Sequence, residues 1–419
     1  MCYFNFYTHP MKILYLTFYF EPDLCAGSFR NTPLVAELAR QLGPDGSVHV
    51  VTTQPNRYQS FKQTAPNRED RGNVLIDRIA VPAHVSRLGD QIRSFITYYR
   101  TAHRLTKNQH YDLVVASSSR LFTAFLGARL ARKHRANLFL DIRDLFRETI
   151  LEMLRNRVAR FGLKPVLWAV EQYTFGQATH INLVSEGFRT YFSRFNQATY
   201  SYFTNGIDDE FLAIGPSERP VRATSVKTIL YAGNIGEGQG LHKIIPQAAQ
   251  QLGGGYRFVV IGDGGAKHKL EEAIRNEGVA TIDLRPPVSR SALVDAYQTA
   301  DYLFVHLNNL DAFERVLPSK LFEYGATDKP ILAGVMGYAA YFVREHLSNS
   351  IVFAPGDVSD LVGQLRTTPY RTQPRPQFVA QFQRRTIVQA IARRIRQTLP
   401  AVLGSLVSDQ PATLKPTAV

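Results

Sequence analysis

The chain has 419 residues, 45% of them hydrophobic and 20% charged, which excludes wholesale disorder and suggests two to three domains at roughly 150 residues each. Two cysteines, Cys2 and Cys25, exclude a disulfide framework and a four-thiolate zinc site, and fit a reducing, cytoplasmic compartment. The 49 basic against 35 acidic residues, net +14, imply an anionic partner: nucleic acid, lipid headgroups or a nucleotide.

The opening MCYFNFYTHP lacks a positive n-region and a small-residue cleavage site, so it does not read as a signal peptide. Met11-Lys12-Ile13-Leu14 reads as a natural start, with residues 1–10 as an extension. The apolar, β-branched and aromatic run Lys12–Phe20 is a strand, and Leu34, Leu38 and Leu42 give helical spacing over Asn31–Gln41. Strands follow at Val48–Thr53 and Val74–Ile79, a helix at Ile92–Lys107, a strand at Leu113–Ser117, a helix at Phe122–Lys133 and a strand at Asn137–Ile142. Two more strands are expected at His180–Ser185 and Thr199–Phe203.

Gly215–Ser225 reads as a linker, after which the alternation restarts. Strands are expected at Lys227–Ala232, Arg257–Gly262, Thr281–Leu284, Tyr302–His306, Pro330–Ala333 and Ser350–Phe353, and helices at Leu241–Gln251, Lys267–Asn276, Arg290–Thr299 and Ser319–Ala326. Strands alternating with helices predict an α/β protein of two Rossmann-like, doubly wound parallel-sheet domains facing a cleft, over residues 11–215 and 226–370. Residues 371–400 form a helical region and 401–419 a tail. Leu361–Ser408 carries eight arginines and no acid, yet the basic excess is shared by both halves and forms no dense nucleic-acid-binding arm. No stretch reaches the roughly 18–20 apolar residues needed to span a bilayer.

Ligands of such sheets sit at the carboxyl ends of the strands, so the loops there hold the candidates. The first, Glu21–Arg30, places small residues including Gly27 before a helix N-terminus, where anions are favoured; the alternative is an ordinary βα turn. The second, Asp141–Glu148, ends a buried strand with both charge signs, which demands pairing or a ligand; Asp144 is a candidate base, and an Arg143–Asp structural pair is the alternative. The third, Tyr231–Gly240, has four glycines and lacks the P-loop lysine; Gly262-Asp263-Gly264-Gly265 repeats the arrangement at the next strand end. Together they point to a nucleotide. In the fourth, Pro318 stands at or next to N1, which frees the amides of Ser319, Lys320 and Leu321 to face a phosphate beside the Lys320 ammonium. Glu323, one turn on, is placed to accept from both hydroxyls of a ribose; a capped core helix burying Leu321 and Phe322 is the plainer reading. The eleven histidines show no clustered ligand spacing and no D-x-D ends a strand, so no metal or other cofactor is expected.

Eight stretches, LYLTFYFEPDLCAGSFR, DIRDLFRETI, NLVSEGFRTYF, FTNGID, ILYAGNIGEGQGL, FVVIGDGG, ALVDAYQTADYLFVHL and PSKLFEYGATDKPILAG, run from residue 14 to 334 in an order and spacing that resemble the GT-B glycosyltransferases of family 4. These are retaining enzymes that use nucleotide-sugar donors. The RDLF and GNIGEGQG wording most resembles the branch that builds bacterial O-antigen, capsule and exopolysaccharide. The resemblance implies a donor sugar carried on UDP or GDP, including N-acetylated hexosamines or deoxyhexosamines, and a glycan or lipid-diphosphate-linked acceptor at the inner face of the cytoplasmic membrane. It implies donor-ribose binding by Glu323 and diphosphate contacts at Ser319, Lys320 and Leu321. Gly27, Arg30, Asn234, Gly236, Gln239, Gly262, Asp263 and Gly264 fall in the donor-side motifs. Asp144, with Arg143 and Lys320, takes the catalytic positions, and Glu148 and Asn205 the acceptor side. The terminal helical region is expected to cross back to the first domain.

Three positions depart from the family pattern. Arg315 stands where many members carry a glutamate, with Glu314 one place earlier. Asn234 and Gln239 replace an Arg and a Lys of the glycine loop, so Lys320 with Arg30 or Arg143 must supply the missing charge. Arg143 replaces a frequent histidine. A non-catalytic GT-B-like subunit and a nucleotide-sugar epimerase are the competing expectations. Finally, Leu151–Phe175 interleaves Arg155, Arg157, Arg160 and Lys164 with Leu154, Val158, Phe161 and Trp168, which suits a helix lying on an anionic membrane; packing of the same stripe on the N-terminal sheet is the alternative.

Overall fold

The computed structural model describes residues 10–56, 64–82, 88–118, 121–154, 157–213 and 226–400. The linker expected at 215–225, the extension over residues 1–9, the tail from 401 and Arg155 lie outside the described residues.

Apolar runs buried on both faces build two sheets. The first contains β1 (Met11–Thr17), β2 (Gly46–Thr53), β3 (Arg68–Arg71), β4 (Val74–Ile79), β5 (Leu113–Ser118), β6 (Asn137–Ile142), β7 (His180–Leu183) and β8 (Thr199–Ser201). Their spatial order is β3-β4-β2-β1-β5-β6-β7-β8. Every pairing is parallel except β3 with β4, where the charged REDR strand forms an antiparallel edge. Charges on an exposed edge oppose pairing with another chain, and this strand has none of the apolar pattern that marks the others.

The second sheet contains β9 (Lys227–Asn234), β10 (Tyr256–Asp263), β11 (Ile282–Arg285), β12 (Tyr302–His306), β13 (Ile331–Gly334) and β14 (Ser350–Phe353). Its order, β11-β10-β9-β12-β13-β14, is all parallel and reverses direction between β9 and β12, the switch point where a doubly wound sheet opens a crevice. The expected strands and main helices agree with these positions to within a few residues at their ends. One difference has a plain cause: the helix expected over Leu241–Gln251 is a 3-10 turn, Leu241–Lys243, and a separate helix, Ile245–Leu252, which begins around Pro246 because proline lacks the N–H of a continuing helix.

The chain end returns to the first sheet. The helix Arg384–Gln397 buries Val388, Ile391, Ala392 and Ile395 in the same apolar cluster as Ile13, Tyr15, Leu34 and Leu38. A second junction is made at Val316, which packs against the cores of both sheets.

Candidate active site

The two sheets face each other across a cavity of about 390 Å³. Leu24, Cys25, Ala26, Phe29 and Asp144 line it from the first sheet's strand-end loops. Gly233, Asn234, Gln239, Gly262, Arg290, Ser319, Lys320 and Glu323 line it from the second. Loops at the carboxyl ends of β1, β6, β9, β10, β11 and β12 thus converge on one space.

Lys320 and Glu323 stand on the short helix Lys320–Gly325, whose Leu321, Phe322 and Tyr324 are buried and hold it against the sheet. The Lys320 side chain runs along Gly233: a methyl group added there would collide with Nζ, and the backbone φ of 144° already disfavours a side chain. The ammonium also lies 5.3 Å above the Tyr231 ring. Glu323 Oε2 accepts from the Tyr297 hydroxyl at 2.6 Å. Burial raises the Glu323 carboxyl above its ordinary value, and the Lys320 charge and the Tyr297 hydrogen bond work against that rise. An oriented carboxylate and an ammonium therefore share one wall.

Arg290 was not legible in the sequence. It opens the helix Arg290–Thr299 directly after the Ser289 cap, and its guanidinium stacks over Phe29 from the opposite sheet at 4.1 Å. Its Nη2 pairs with Asp208 Oδ2 at 2.7 Å. The only sequence signal was an arginine three residues past the Pro286-Pro287 pair at a strand end.

Several expected site residues lie elsewhere. Arg30 is a correction: it is 1% exposed and forms a two-pronged pair with Asp141, Nε to Oδ2 at 2.9 Å and Nη2 to Oδ1 at 2.8 Å. Four of its five N–H donors are thus taken, the other two of these by the Thr204 and Phe203 carbonyls, and the side chain does not line the cleft. Burial alone would raise the Asp141 carboxyl, but Arg30 overrides it and holds the group below its ordinary value. The strand-end carboxylate Asp141 is thus paired by Arg30. Arg143 instead lies behind Gly27, where a methyl group would come 3.1 Å from Nη1, and its buried Nε and Nη1 have no hydrogen-bond partner. Loss of hydration and the nearby Arg30 lower its pKa. Gly27 therefore faces Arg143 and Tyr19, and its neighbours Cys25 and Ala26 form the cleft wall.

The glycine loops also read differently in three dimensions. Gln239 Oε1 accepts from Asn234 Nδ2 at 2.8 Å and from the Gly236 N–H at 3.2 Å. The Gly236 amide expected to cradle a phosphate is thus capped from within its own loop. Gly262 and Gly264 lack side chains because Cβ atoms there would strike the carbonyls of Gly233 and Ile235 on the adjacent strand end. Gly262 still borders the cleft, whereas the Asp263 carboxylate turns back to accept from the Gly264 N–H at 2.8 Å. Leu321 is buried and its amide bonds to the Pro318 carbonyl at 3.2 Å, because the chain is already helical at Ser319.

On the acceptor side, Glu148 Oε2 pairs with Arg315 Nη1 at 2.9 Å. Asn205 is buried, and its carbonyl accepts from Thr204 Oγ1 at 2.8 Å. The following Gly206 lies against the Arg384 backbone, where the chain crosses between the sheets. Neither Glu148 nor Asn205 lines the cavity. Among the described residues no three His, Cys, Asp or Glu side chains gather as a metal site, and no helix is long and apolar enough to cross a membrane.

Comparison with known proteins places this geometry. Residues 217–368 match the family described as "Glycosyl transferases group 1", and residues 32–200 match the "Glycosyl transferase 4-like domain". Among curated proteins, a segment of 95 residues is 37% identical to WcaI of Escherichia coli (strain K12), provisionally assigned as a colanic acid biosynthesis glycosyl transferase; the match spans 23% of this chain and 23% of that protein's length. Among solved structures, sucrose-phosphate synthase from Thermosynechococcus elongatus superposes with a TM-score of 0.73 at 13% identity, covering 92% of this chain and 98% of that one. Anabaena HepE in complex with UDP gives a TM-score of 0.61 at 16% identity, covering 92% and 100%. These structures share the fold; the two family matches, one on each sheet, carry the assignment. The chain belongs to the GT-B glycosyltransferases of the family 4-like kind.

Proposed function

We propose that the protein transfers a glycosyl group from a UDP- or GDP-linked sugar to a hydroxyl of a glycan or lipid-diphosphate-linked acceptor, with retention of configuration. The process served is cell-surface polysaccharide assembly at the inner face of the cytoplasmic membrane. One observation carries this reading: Lys320 and Glu323 from the second sheet meet Asp144 from the first across a single cavity. The UDP bound to the HepE neighbour and the colanic acid role assigned to WcaI support a nucleotide-sugar donor and a polysaccharide product.

In this reading Glu323, oriented by Tyr297, accepts from the ribose hydroxyls. Lys320 neutralises the departing diphosphate, without a metal, in a cleft where low dielectric strengthens the interaction. The bond between the sugar C1 and the diphosphate oxygen breaks, the acceptor oxygen bonds C1 from the same face, and the acceptor proton passes to the leaving phosphate. Asp144 positions the sugar and the acceptor hydroxyl. With Arg30 tied to Asp141, Arg143, which lies against Gly27, is the other of the two arginines expected to supply the missing charge.

The test incubates purified protein with a panel of UDP- and GDP-sugars. Nucleotide release that requires an acceptor, with the anomeric configuration retained by NMR, is the expected result. Binding without turnover identifies a non-catalytic subunit, and an isomerised sugar without acceptor identifies an epimerase; either overturns the proposal.

A further inference from the structure

The outer face of the helix Arg157–Gly176 is apolar and basic together. Val158 and Phe161 are 80% and 83% exposed, and Val166 and Trp168 are 56% and 50% exposed. Side chains this large and this open, gathered on one helix, mark a surface that meets something. Arg157, Phe161, Lys164 and Trp168 follow each other at steps of four, three and four residues, so they form a single stripe along the helix. The inner face buries Leu167, Thr174 and Phe175. The alternative of packing this stripe on the sheet is thereby excluded for these residues.

Charge selects the occupant. Arg157, Arg160 and Lys164 are all exposed. The helix's one acid, Glu171, is turned inward, where Tyr191 donates to it and Arg147 and Arg194 pair with it. The outward face therefore presents three cations and no carboxylate. A second copy would bring the same positive face from a chain of net charge +14, and the two would repel.

We infer that this face seats the protein on an anionic lipid bilayer. Phe161, Trp168 and Val158 enter the boundary between headgroups and acyl chains, and the cations meet lipid phosphates. The inference deepens the proposed function by locating where a lipid-linked acceptor is met, and it rests on that reading for the acceptor alone.

Trp168 is the only tryptophan in the chain, so its fluorescence reports the contact directly. The full chain is mixed with vesicles of phosphatidylcholine, or of phosphatidylcholine with phosphatidylglycerol, and followed by emission and flotation. A blue shift and flotation with the anionic vesicles only, both weakened by salt, are expected. Reversing Arg157, Arg160 and Lys164 to Glu should lower vesicle affinity on the order of a hundredfold. Phe161→Ser should reduce flotation while turnover on a soluble acceptor stays unchanged. No shift with either vesicle, equal binding to neutral vesicles, or a blue shift that grows with protein concentration without lipid would each overturn the inference. Flotation without glycosyl transfer would instead overturn the proposed function and leave this surface assignment standing.

Discussion

Arg315 of the second sheet's loops and Glu148 of the helix Phe146–Met153 form an ion pair between the two halves of the molecule, at 2.9 Å. The Arg315 carbonyl accepts from Ser185 Oγ at 2.5 Å, and Gly187 sits against the same carbonyl because no side chain would fit there. The position where the family pattern has a glutamate is thus used to join the two halves. Both side chains are partly exposed, so the pair itself contributes at most about 1 kcal/mol. Arg315→Glu is expected to set two carboxylates against each other and lower kcat/KM several-fold, and the exchange Glu148→Arg/Arg315→Glu should restore most of it. A double-mutant cycle on kcat/KM checks this, and strict additivity would remove the pair's role in domain approach.

Lys320→Ala and Glu323→Ala should each cost about 1.5–3 kcal/mol of donor interaction, read as roughly 10- to 100-fold lower turnover at sub-saturating donor. Gly233→Ala should act on the same step at one remove, because the added methyl displaces the Lys320 ammonium. Calorimetric donor titration of the three variants, with melting curves to show that they fold, checks the assignment.

Asp144→Asn should leave donor affinity near wild type and reduce transfer sharply, since Asp144 faces the cavity from the sheet opposite Lys320 and Glu323. Single-turnover kinetics with saturating donor separate the two effects. Unchanged transfer would make Asp144 a structural residue.

Arg30→Met should fail differently, by destabilising the fold. Removing the guanidinium strands the buried Asp141 carboxylate, a loss of about 3–5 kcal/mol. Urea unfolding measures it. A variant as stable as wild type with weakened donor binding would return Arg30 to the donor site.

Glu323 links activity to pH. Its carboxyl is raised in the folded protein relative to 4.5, so the folded state holds a proton that the unfolded state has released, and stability falls as pH rises from the unfolded value through the folded one. Glu323→Gln should therefore raise Tm at neutral pH and leave it little changed in acid, where the wild-type group is protonated in both states. Donor binding should weaken in the same variant. Paired melting curves at neutral and acidic pH test the sign.

The two sheets were legible because their strands are continuous apolar runs such as KILYLTFYF, buried on both faces. The edge strand Arg68–Arg71 was not, because every one of its residues is charged and only pairing with β4 makes it a strand. At the site, Lys320 and Glu323 could be placed from the spacing of one short helix that follows Pro318. The glycine loops misled at Gly236 and Gly264, since close backbone approach and phosphate contact both require a missing Cβ and a sequence does not say which applies. Arg30 misled because helical spacing gives the face of a residue relative to its helix and not the buried carboxylate opposite it. The Arg290–Phe29 stack depends on contact between the two halves, which no local pattern encodes.

The helix Arg384–Gln397 also bears on how the molecule comes into being. Residues Val388, Ile391, Ala392 and Ile395 fill part of the core around β1 and the helix Ala26–Leu42. During synthesis from the amino end, that first core stays open until nearly the whole polypeptide has left the ribosome. A fragment that ends at Ala213 is left with bare leucines on Ala26–Leu42, and a dissected first domain needs residues 384–397 supplied as a separate peptide or spliced behind it.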